Sequence, residues 1–324
     1  MIEIYNGEDL TVVIPAHNCE CYIREALQSI ELQTIRPGQI IIIENASSDG
    51  TRECLEGYAE TSDLPLKIVY TDCPGVSNAR NIGFSLAETE LIAMLDADDL
   101  YEPAFLELAL KAYNVIPDLV LFFGNRKPLK NGSVMDEPFL ENTRLNDISF
   151  DEVSADILKI SEGLFSHLVY GNFISCSGAV VRRSAAYAAG LFSIFLIASE
   201  DRHFFSKLAL QGESAYTLVP THLYRAHDLS RTGSSSWLDI QKNSLLCLKS
   251  LRLESTGWRL MKHERDALNK AYDRARKDFF YIASEHGIRK FINSRLWARQ
   301  SGIRVLDNPW FWIKALKNSY LNRL

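Results

Sequence analysis

Four apolar runs, each followed by a stretch with helical periodicity, most constrain what this chain can fold into. Thr11-Val12-Val13-Ile14-Pro15 is β-branched and ends at proline. Helical spacing follows, with Tyr22, Ile23, Ala26, Leu27 and Ile30 on one face and Asn18 placed to cap it. Gln39-Ile40-Ile41-Ile42-Ile43-Glu44 is the second run, and a polar loop from Asn45 to Gly50 leads into a helix that Asp49 can cap. Leu66 to Tyr70 is the third; Pro74-Gly75 then turns into a helix with Ala79, Ile82, Gly83 and Leu86 in register. Leu91 to Leu95 is the fourth. Runs that stay apolar instead of alternating belong to strands buried on both faces. The expectation is an α/β fold, a mostly parallel mixed sheet flanked by helices.

The fourth run ends abruptly in Asp96-Ala97-Asp98-Asp99. Burying unpaired carboxylates is costly, so these acids belong at the strand's exposed end. Clustered there they repel one another unless a divalent cation such as Mg²⁺ or Mn²⁺ joins them to a phosphate. The plain alternative is an acidic turn capping the helix that starts near Pro103. Ligands of such sheets bind beyond the carboxyl ends of the strands, and Asn45, Asp72 and Asp96 to Asp99 all fall there. That convergence favours a site over a set of caps.

Four segments occur in a telling order: Val13-Ile14-Pro15-Ala16-His17-Asn18, Glu44-Asn45-Ala46-Ser47-Ser48-Asp49-Gly50-Thr51, Gly75-Val76-Ser77-Asn78-Ala79-Arg80-Asn81-Ile82-Gly83 and Leu95-Asp96-Ala97-Asp98-Asp99. Together they resemble the family-2 inverting glycosyltransferases, which have the GT-A nucleotide-sugar-binding fold. The resemblance is strong over about the first 125 residues, weaker to about residue 235, and then fades.

The resemblance implies roles for particular residues. Pro15 to Asn18 would line the pocket for the base, with His17 stacking on it. Asn45 stands where the family usually has an aspartate that accepts the uracil N3–H. An asparagine can accept through its side-chain oxygen, so a uridine donor is retained, although Glu44 and Ala46 also replace the commoner Asp and Gly. Asp72 joins the donor-binding set. Arg80 would reach the donor diphosphate, the alternative being a surface arginine on a helix. Asp96 would face the ribose or a metal-bound water, with Ala97 beside it. Asp98 would be the direct metal ligand, and Asp99 a helix-capping or supporting residue.

On the acceptor side, Asn172 to Arg182 resembles the family's strand bordering the donor sugar and acceptor. Ser199-Glu200-Asp201-Arg202-His203-Phe204-Phe205-Ser206-Lys207-Leu208 resembles the element in which the family keeps its catalytic base. Inversion by single displacement needs a carboxylate to take the acceptor hydroxyl proton. Asp201 is assigned that role, with Glu200 as second candidate or orienting partner. The alternative is that both acids simply favour a helix N-terminus. Pro220 to Ser230 resembles the segment that closes over the diphosphate. His227 would ligate the metal or phosphate, Arg225 would help to bind the donor, and His222 has a weaker claim.

At 324 residues with 47% apolar side chains, the chain can bury a full α/β core and carry an appendage. The expected division is a catalytic domain over 1–235, its nucleotide-sugar-binding half 1–125 and acceptor half 126–235, then a helical region over 236–324. No N-terminal segment has the pattern of a signal peptide. The longest nearly uncharged stretch, Ser184 to Ser199, is sixteen residues, short of the roughly 20 that span a bilayer. It reads as helix and loop beside the acceptor site. Six cysteines without zinc spacing suit a reduced, cytosolic chain.

The net charge of −6 conceals a split. Residues 1–251 carry 19 basic and 34 acidic side chains, a net of −15, whereas residues 252–324 carry 16 and 7, a net of +9. The basic groups are interleaved with Phe291, Trp297, Trp310, Phe311, Trp312 and Tyr320. An anionic membrane surface is the favoured partner; packing or oligomer contact is the competing reading. Nucleic acid is set aside because no nucleic-acid fold accompanies the basic residues.

The sequence therefore predicts a metal-dependent inverting glycosyltransferase with Mn²⁺ or Mg²⁺ as cofactor. Its donor would be a nucleotide-sugar, a UDP-sugar by preference, and its acceptor a saccharide or lipid-linked saccharide hydroxyl in cell-surface polysaccharide synthesis. It would be cytoplasmic, peripheral on the inner face of the membrane. A sugar-phosphate nucleotidyltransferase would need a Gly-x-Gly-Thr-Arg loop where Pro15-Ala16-His17-Asn18 stands. A haloacid-dehalogenase-like phosphatase places its Asp-x-Asp after the first strand. A non-catalytic nucleotide-sugar-binding protein would be favoured if Glu200 and Asp201 lay far from the acidic cluster.

Overall fold

The computed structural model describes residues 4–137, 139–226 and 236–321. Strand β1 (Leu10–Ala16) leads to helix α1 (Ile23–Glu31), β2 (Gln39–Asn45) to α2 (Thr51–Ala59), and β3 (Leu66–Thr71) to α3 (Val76–Leu86). Strand β4 (Leu91–Met94) runs through the short β5 (Leu100–Tyr101) to α4 (Phe105–Val115). There follow β6 (Leu119–Lys130), β7 (Ser133–Val134), β8 (Phe150–Ser154), β9 (Ile157–Ile160), α5 (Leu164–Leu168), β10 (Ala179–Arg182), α6 (Arg183–Ala188), α7 (Glu200–Leu208) and β11 (Glu213–Ala226). These belong to one compact unit, Met1–Asp228. A second unit, Leu229–Leu324, contains α8 (Trp237–Glu254), α9 (Lys262–Glu285), α10 (Gly287–Gln300) and α11 (Pro309–Leu321).

The sheet runs β3-β2-β1-β4-β10-β6-β11-β9-β8, with β5 added to β11 and β7 to β6. Its first four strands are parallel, Val13 lying opposite both Ile41 and Met94. Strand β10 enters antiparallel between β4 and β6, which makes the sheet mixed. The direction of winding reverses at β1, with β2 and β3 on one side and β4 on the other. A crevice therefore opens at the carboxyl ends of β1 and β4.

Strands β1 and β2 are buried on both faces, and successive side chains divide between two cores. Leu10, Val12, Ile14 and Ala16 face α1, α2 and α4. Val13 faces the opposite way, with α3, α5, α6 and α7. Gly83 lets α3 approach β1 closely, since a Cβ there would come within 2.3 Å of Val13 Cγ1. Helices α3 and α7, 120 residues apart in sequence at Arg80 and Glu200, thus cover the same face of the sheet. That shared face positions the candidate site.

Candidate active site at the strand ends

The loops after β1 and β2 are laced together. His17 Nδ1 lies 2.7 Å from the Asn45 carbonyl and donates to it as the Nδ1–H tautomer. The Asn18 N–H donates to Ser47 Oγ (3.0 Å), and its side-chain oxygen accepts from Ser48 N–H (2.8 Å). Asn18 is therefore no cap for α1, which begins at Ile23 after Tyr22. Its left-handed φ of 49° turns it toward the neighbouring loop instead. Asp49 lies one residue before the α2 cap position, accepting from Thr51 N–H at 3.1 Å and the Thr51 hydroxyl at 2.6 Å. Glu44 is buried; burial pushes its carboxyl pKa up, but Ser47 and Arg52 outweigh this and hold it low.

Asn45 is 4% exposed, and its side-chain oxygen is buried without a hydrogen-bond partner. An orphaned acceptor of this kind costs roughly 1–3 kcal/mol, so a ligand N–H offered here would be recognised. Pro15 is half-buried opposite Ile43. Asp72 is exposed after β3, the edge strand, about 10 Å from β1 at the usual strand spacing. It stands apart from the acidic cluster.

At the end of β4 the acids are tied down individually. The Ser177 hydroxyl donates to Asp99 Oδ2 (2.6 Å) and accepts from Asp96 N–H (3.1 Å). Asp99 Oδ1 accepts from Arg225 N–H at 3.0 Å. Burial first, then the charges of Asp98 and Asp96, push the Asp99 carboxyl pKa well up. Asp99 therefore caps no helix; it joins the acidic turn to β11. Arg225 also donates from Nε to the Asp98 carbonyl (2.9 Å) and pairs with Glu25 (2.6 Å), its guanidinium lying over Tyr22. Ala97 is buried, while Asp96 and Asp98 are half-buried.

Arg80 is 1% exposed, which overturns the surface reading. Its guanidinium sits between Asp96 (2.6 Å) and Glu200 (3.2 Å), with the Phe192 ring 5.1 Å away. Burial opposes its charge, but Asp96, Cys176 and Glu200 together outweigh that and keep it firmly protonated. Next to it, Asn81 exchanges two hydrogen bonds with the Phe192 backbone. Helix α3 thereby holds the chain that leads, through Ser199 at φ 62°, into α7.

Glu200 is 3% exposed. Asp201 is half-buried, its Oδ2 accepting from Asn172 Nδ2 (2.8 Å) and its Oδ1 from Arg202 N–H (2.7 Å). Burial and then the Glu200 charge raise the Asp201 carboxyl, against Arg202 N–H, Arg80 and Asn172. Buried Arg202 bonds the carbonyls of Leu168 and Val169, anchoring α7 to α5. The sequence assigned no role to Ser177, Asn172 or Phe192, although the first two stand within quoted segments. His222 is buried and neutral, its pKa pushed down to about 3 by burial and then Arg126. His227 lies outside the described residues.

The donor set fits a divalent cation. Carboxylate oxygens suit Mg²⁺ or Mn²⁺, and a cation would relieve the repulsion from Asp98 and Asp96 that adds to burial in raising Asp99. Among the described residues no three His, Cys, Asp or Glu side chains form a metal cage by themselves. Mg²⁺ is ordinarily held by one or two carboxylates together with substrate phosphates. Asp98, half-buried in the acidic turn, is the candidate for such a ligand.

The first part of the chain is similar to known glycosyltransferases. Residues 11–154 match the profile described as "Glycosyl transferase family 2". This stretch is similar to the family-2 glycosyltransferases. The chain is 33% identical over 112 residues to the putative glycosyltransferase EpsH of Bacillus subtilis, covering 35% of this chain and 32% of EpsH. Over 110 residues it is 36% identical to the minor teichoic acid biosynthesis protein GgaB of the same organism, covering 33% of this chain and 12% of GgaB. The aligned parts thus span about a third or less of these relatives.

Solved structures show the GT-A fold over most of the chain. Staphylococcus aureus TarS 1–349 in complex with UDP-GlcNAc superposes with a TM-score of 0.57 at 16% identity, covering 92% of this chain and 94% of that one. The mannosyltransferase PcManGT from Pyrobaculum calidifontis, in complex with GDP-Man and Mn²⁺, gives 0.58 at 17% identity, covering 93% and 77%.

Proposed function

We propose that this chain is a metal-dependent inverting glycosyltransferase that moves a sugar from a UDP-sugar to a saccharide or lipid-linked saccharide hydroxyl. The observation that carries the reading is Arg80, bonded at once to Asp96 in the acidic turn and to Glu200 beside Asp201. A non-catalytic donor-binding protein would have no need to hold a carboxylate pair against its acidic turn.

In this reading, Asn45 accepts the uracil N3–H, and His17, Asn18 and Pro15 shape the base pocket. Asp96 faces the ribose or a metal-bound water, and Asp98 holds the cation, with His227 as a further ligand to the metal or a contact to phosphate. Bound there, Mn²⁺ or Mg²⁺ would offset the charge that develops on the leaving diphosphate. Asp201 takes the proton of the acceptor hydroxyl as its oxygen bonds to the anomeric carbon and the bond to the diphosphate breaks. An α-linked donor then gives a β-linked product. Arg80, occupied by two carboxylates, acts by positioning them.

The bound UDP-GlcNAc of TarS supports a uridine donor, and the Mn²⁺ of PcManGT supports the metal. The name of GgaB supports a role in a cell-surface polymer. Residues 1–235 would form the catalytic domain and 236–324 a separate helical region, on a cytoplasmic chain attached at the inner face of the membrane. Among the described residues, no helix is long and apolar enough to cross a membrane.

Calorimetric titration of UDP with and without Mn²⁺, on the unaltered chain and on Asp98→Ala, tests the donor site. Binding that requires Mn²⁺ and disappears in the variant is expected. If UDP fails to bind with Mn²⁺ present, the uridine assignment is wrong and GDP becomes the next donor to try.

A further inference from the structure

Helix α11 is apolar on two sides. Its inner side carries buried Phe311 and Ala315, and α10 packs there, with Phe291 6.5 Å from Phe311 and 5.1 Å, edge-on, from Trp312. Trp310, Ile313, Leu316 and Tyr320 point outward, each more than half exposed. Spacings of three, three and four residues stack them along one helix face. The exposed Lys317 lies within this stripe and Lys314 beside it. Lys314 Nζ is 3.4 Å from the centre of the Tyr281 ring and 5.1 Å from that of Trp310, and these two rings stack at 5.8 Å. The outer face of α10 repeats the pattern, with exposed Ile292 and Leu296 between Arg289 and Arg299.

An outward stripe of aliphatic and aromatic side chains gains nothing from water. The charge around it selects the occupant. Residues 252–324 carry a net charge of +9, so a second copy docked face to face would oppose like charges. Nucleic acid would use the lysines and arginines but has no use for Ile313 and Leu316. An anionic lipid surface uses every component. The aliphatic groups enter the acyl boundary and the Trp and Tyr rings sit at headgroup level. Lys317 reaches the lipid phosphates along its own stem, while Lys314 is paired with Glu285 at 2.9 Å. We propose that the outward face of α11, bearing Trp310, Ile313, Leu316, Lys317 and Tyr320, is a docking surface for an anionic lipid bilayer, on which the helix lies flat. The proposal locates the membrane attachment on named residues and stands independently of the transferase chemistry.

The test is sedimentation of the full chain with phosphatidylcholine vesicles, with and without phosphatidylglycerol, at low and high salt. Binding is expected only with phosphatidylglycerol, weakened by salt. The variant Ile313→Asp/Leu316→Asp should reduce it by at least about tenfold. Lys317→Gln disturbs no apolar packing and should reduce it by about fivefold. Leu253→Asp alters an exposed leucine on α8, off the stripe, and should bind as the unaltered chain does. No binding of the unaltered chain would overturn the proposal. So would unchanged binding by both α11 variants, or an equal loss in Leu253→Asp. UDP titration of the same samples reads the donor site separately, so the two readings can fail independently.

Discussion

Replacing Arg80 by methionine removes the one guanidinium that joins Asp96 to Glu200. The two pairs differ in depth: the Glu200 side chain is 5% exposed and that of Asp96 is 32% exposed. Solvent screens the Asp96 pair substantially, so most of the loss comes from the buried Glu200 charge losing the Arg80 guanidinium. Breaking a buried pair from one side costs about 3–5 kcal/mol. For a unit of this size that lowers the melting temperature by roughly 6–20 °C. The double variant Arg80→Met/Glu200→Gln should recover part of the loss, a coupling of about 1–3 kcal/mol. Calorimetry and far-UV circular dichroism would measure both. All five tryptophans, at 237, 258, 297, 310 and 312, fall in the second unit, so tryptophan emission follows that unit alone. The expected signature is a destabilised transition in the dichroism. A loss below about 1 kcal/mol, or a double variant no more stable than Arg80→Met, refutes the buried-pair argument.

Asp201→Asn should lower sugar transfer by about 10²–10⁴-fold while leaving Mn²⁺-dependent UDP binding intact; retained transfer would remove Asp201 as the base. Because burial and then Glu200 raise this carboxyl, and the base must be ionised, transfer should fall as pH drops through a value above the ordinary aspartate range. A pH–rate profile that stays flat down to about pH 4 would contradict that. Asn45→Leu, which removes the orphaned acceptor, should weaken UDP binding by roughly 1–3 kcal/mol, read by the same titration. His222 stays neutral in the fold down to about pH 3, whereas the unfolded chain protonates it below about 6.5. Stability is therefore lost as pH falls below 6.5, by about 2 kcal/mol at pH 5. Urea unfolding at pH 7 and pH 5 should show that loss shrinking in His222→Gln, in which the other titrating groups cancel.

The parallel half of the sheet was legible because Val12 to Pro15, Ile40 to Ile43 and Leu91 to Leu95 are uninterrupted apolar runs, a pattern that requires cover on both faces. Strand β10 falls within Asn172 to Arg182, where resemblance placed a strand, but its slot in the sheet was not legible. Its four residues pair antiparallel with β4 and β6, sequence neighbours of neither, and only tertiary packing selects that slot. Asn18 misled because its residue type suits a helix cap, while a left-handed φ and two hydrogen bonds commit it to the adjoining loop. The depth of Arg80 did leave a sequence signal. It precedes Gly83 and Phe84 by three and four residues, so it lies on the same stripe that packs on the sheet. What it pairs with was invisible, since Glu200 comes from another helix far along the chain. Asn172 likewise gave no sign that it would hold Asp201.

Glu200 and Asp201 are adjacent in sequence and both acidic, yet their surroundings separate them. Glu200 is bonded to a buried guanidinium, an arrangement that binds its charge in place. Asp201 is held by a neutral amide and a backbone N–H, and burial together with Glu200 raises its pKa. In the proposed mechanism the two take different tasks: the ion-paired Glu200 orients, and Asp201, whose carboxyl is raised by burial and the Glu200 charge, accepts the proton. Arg80 thus does two things at once, pairing with Glu200 and setting the acidic turn against the start of α7. That difference is the reason the proposed mechanism puts Asp201, not Glu200, at the proton transfer.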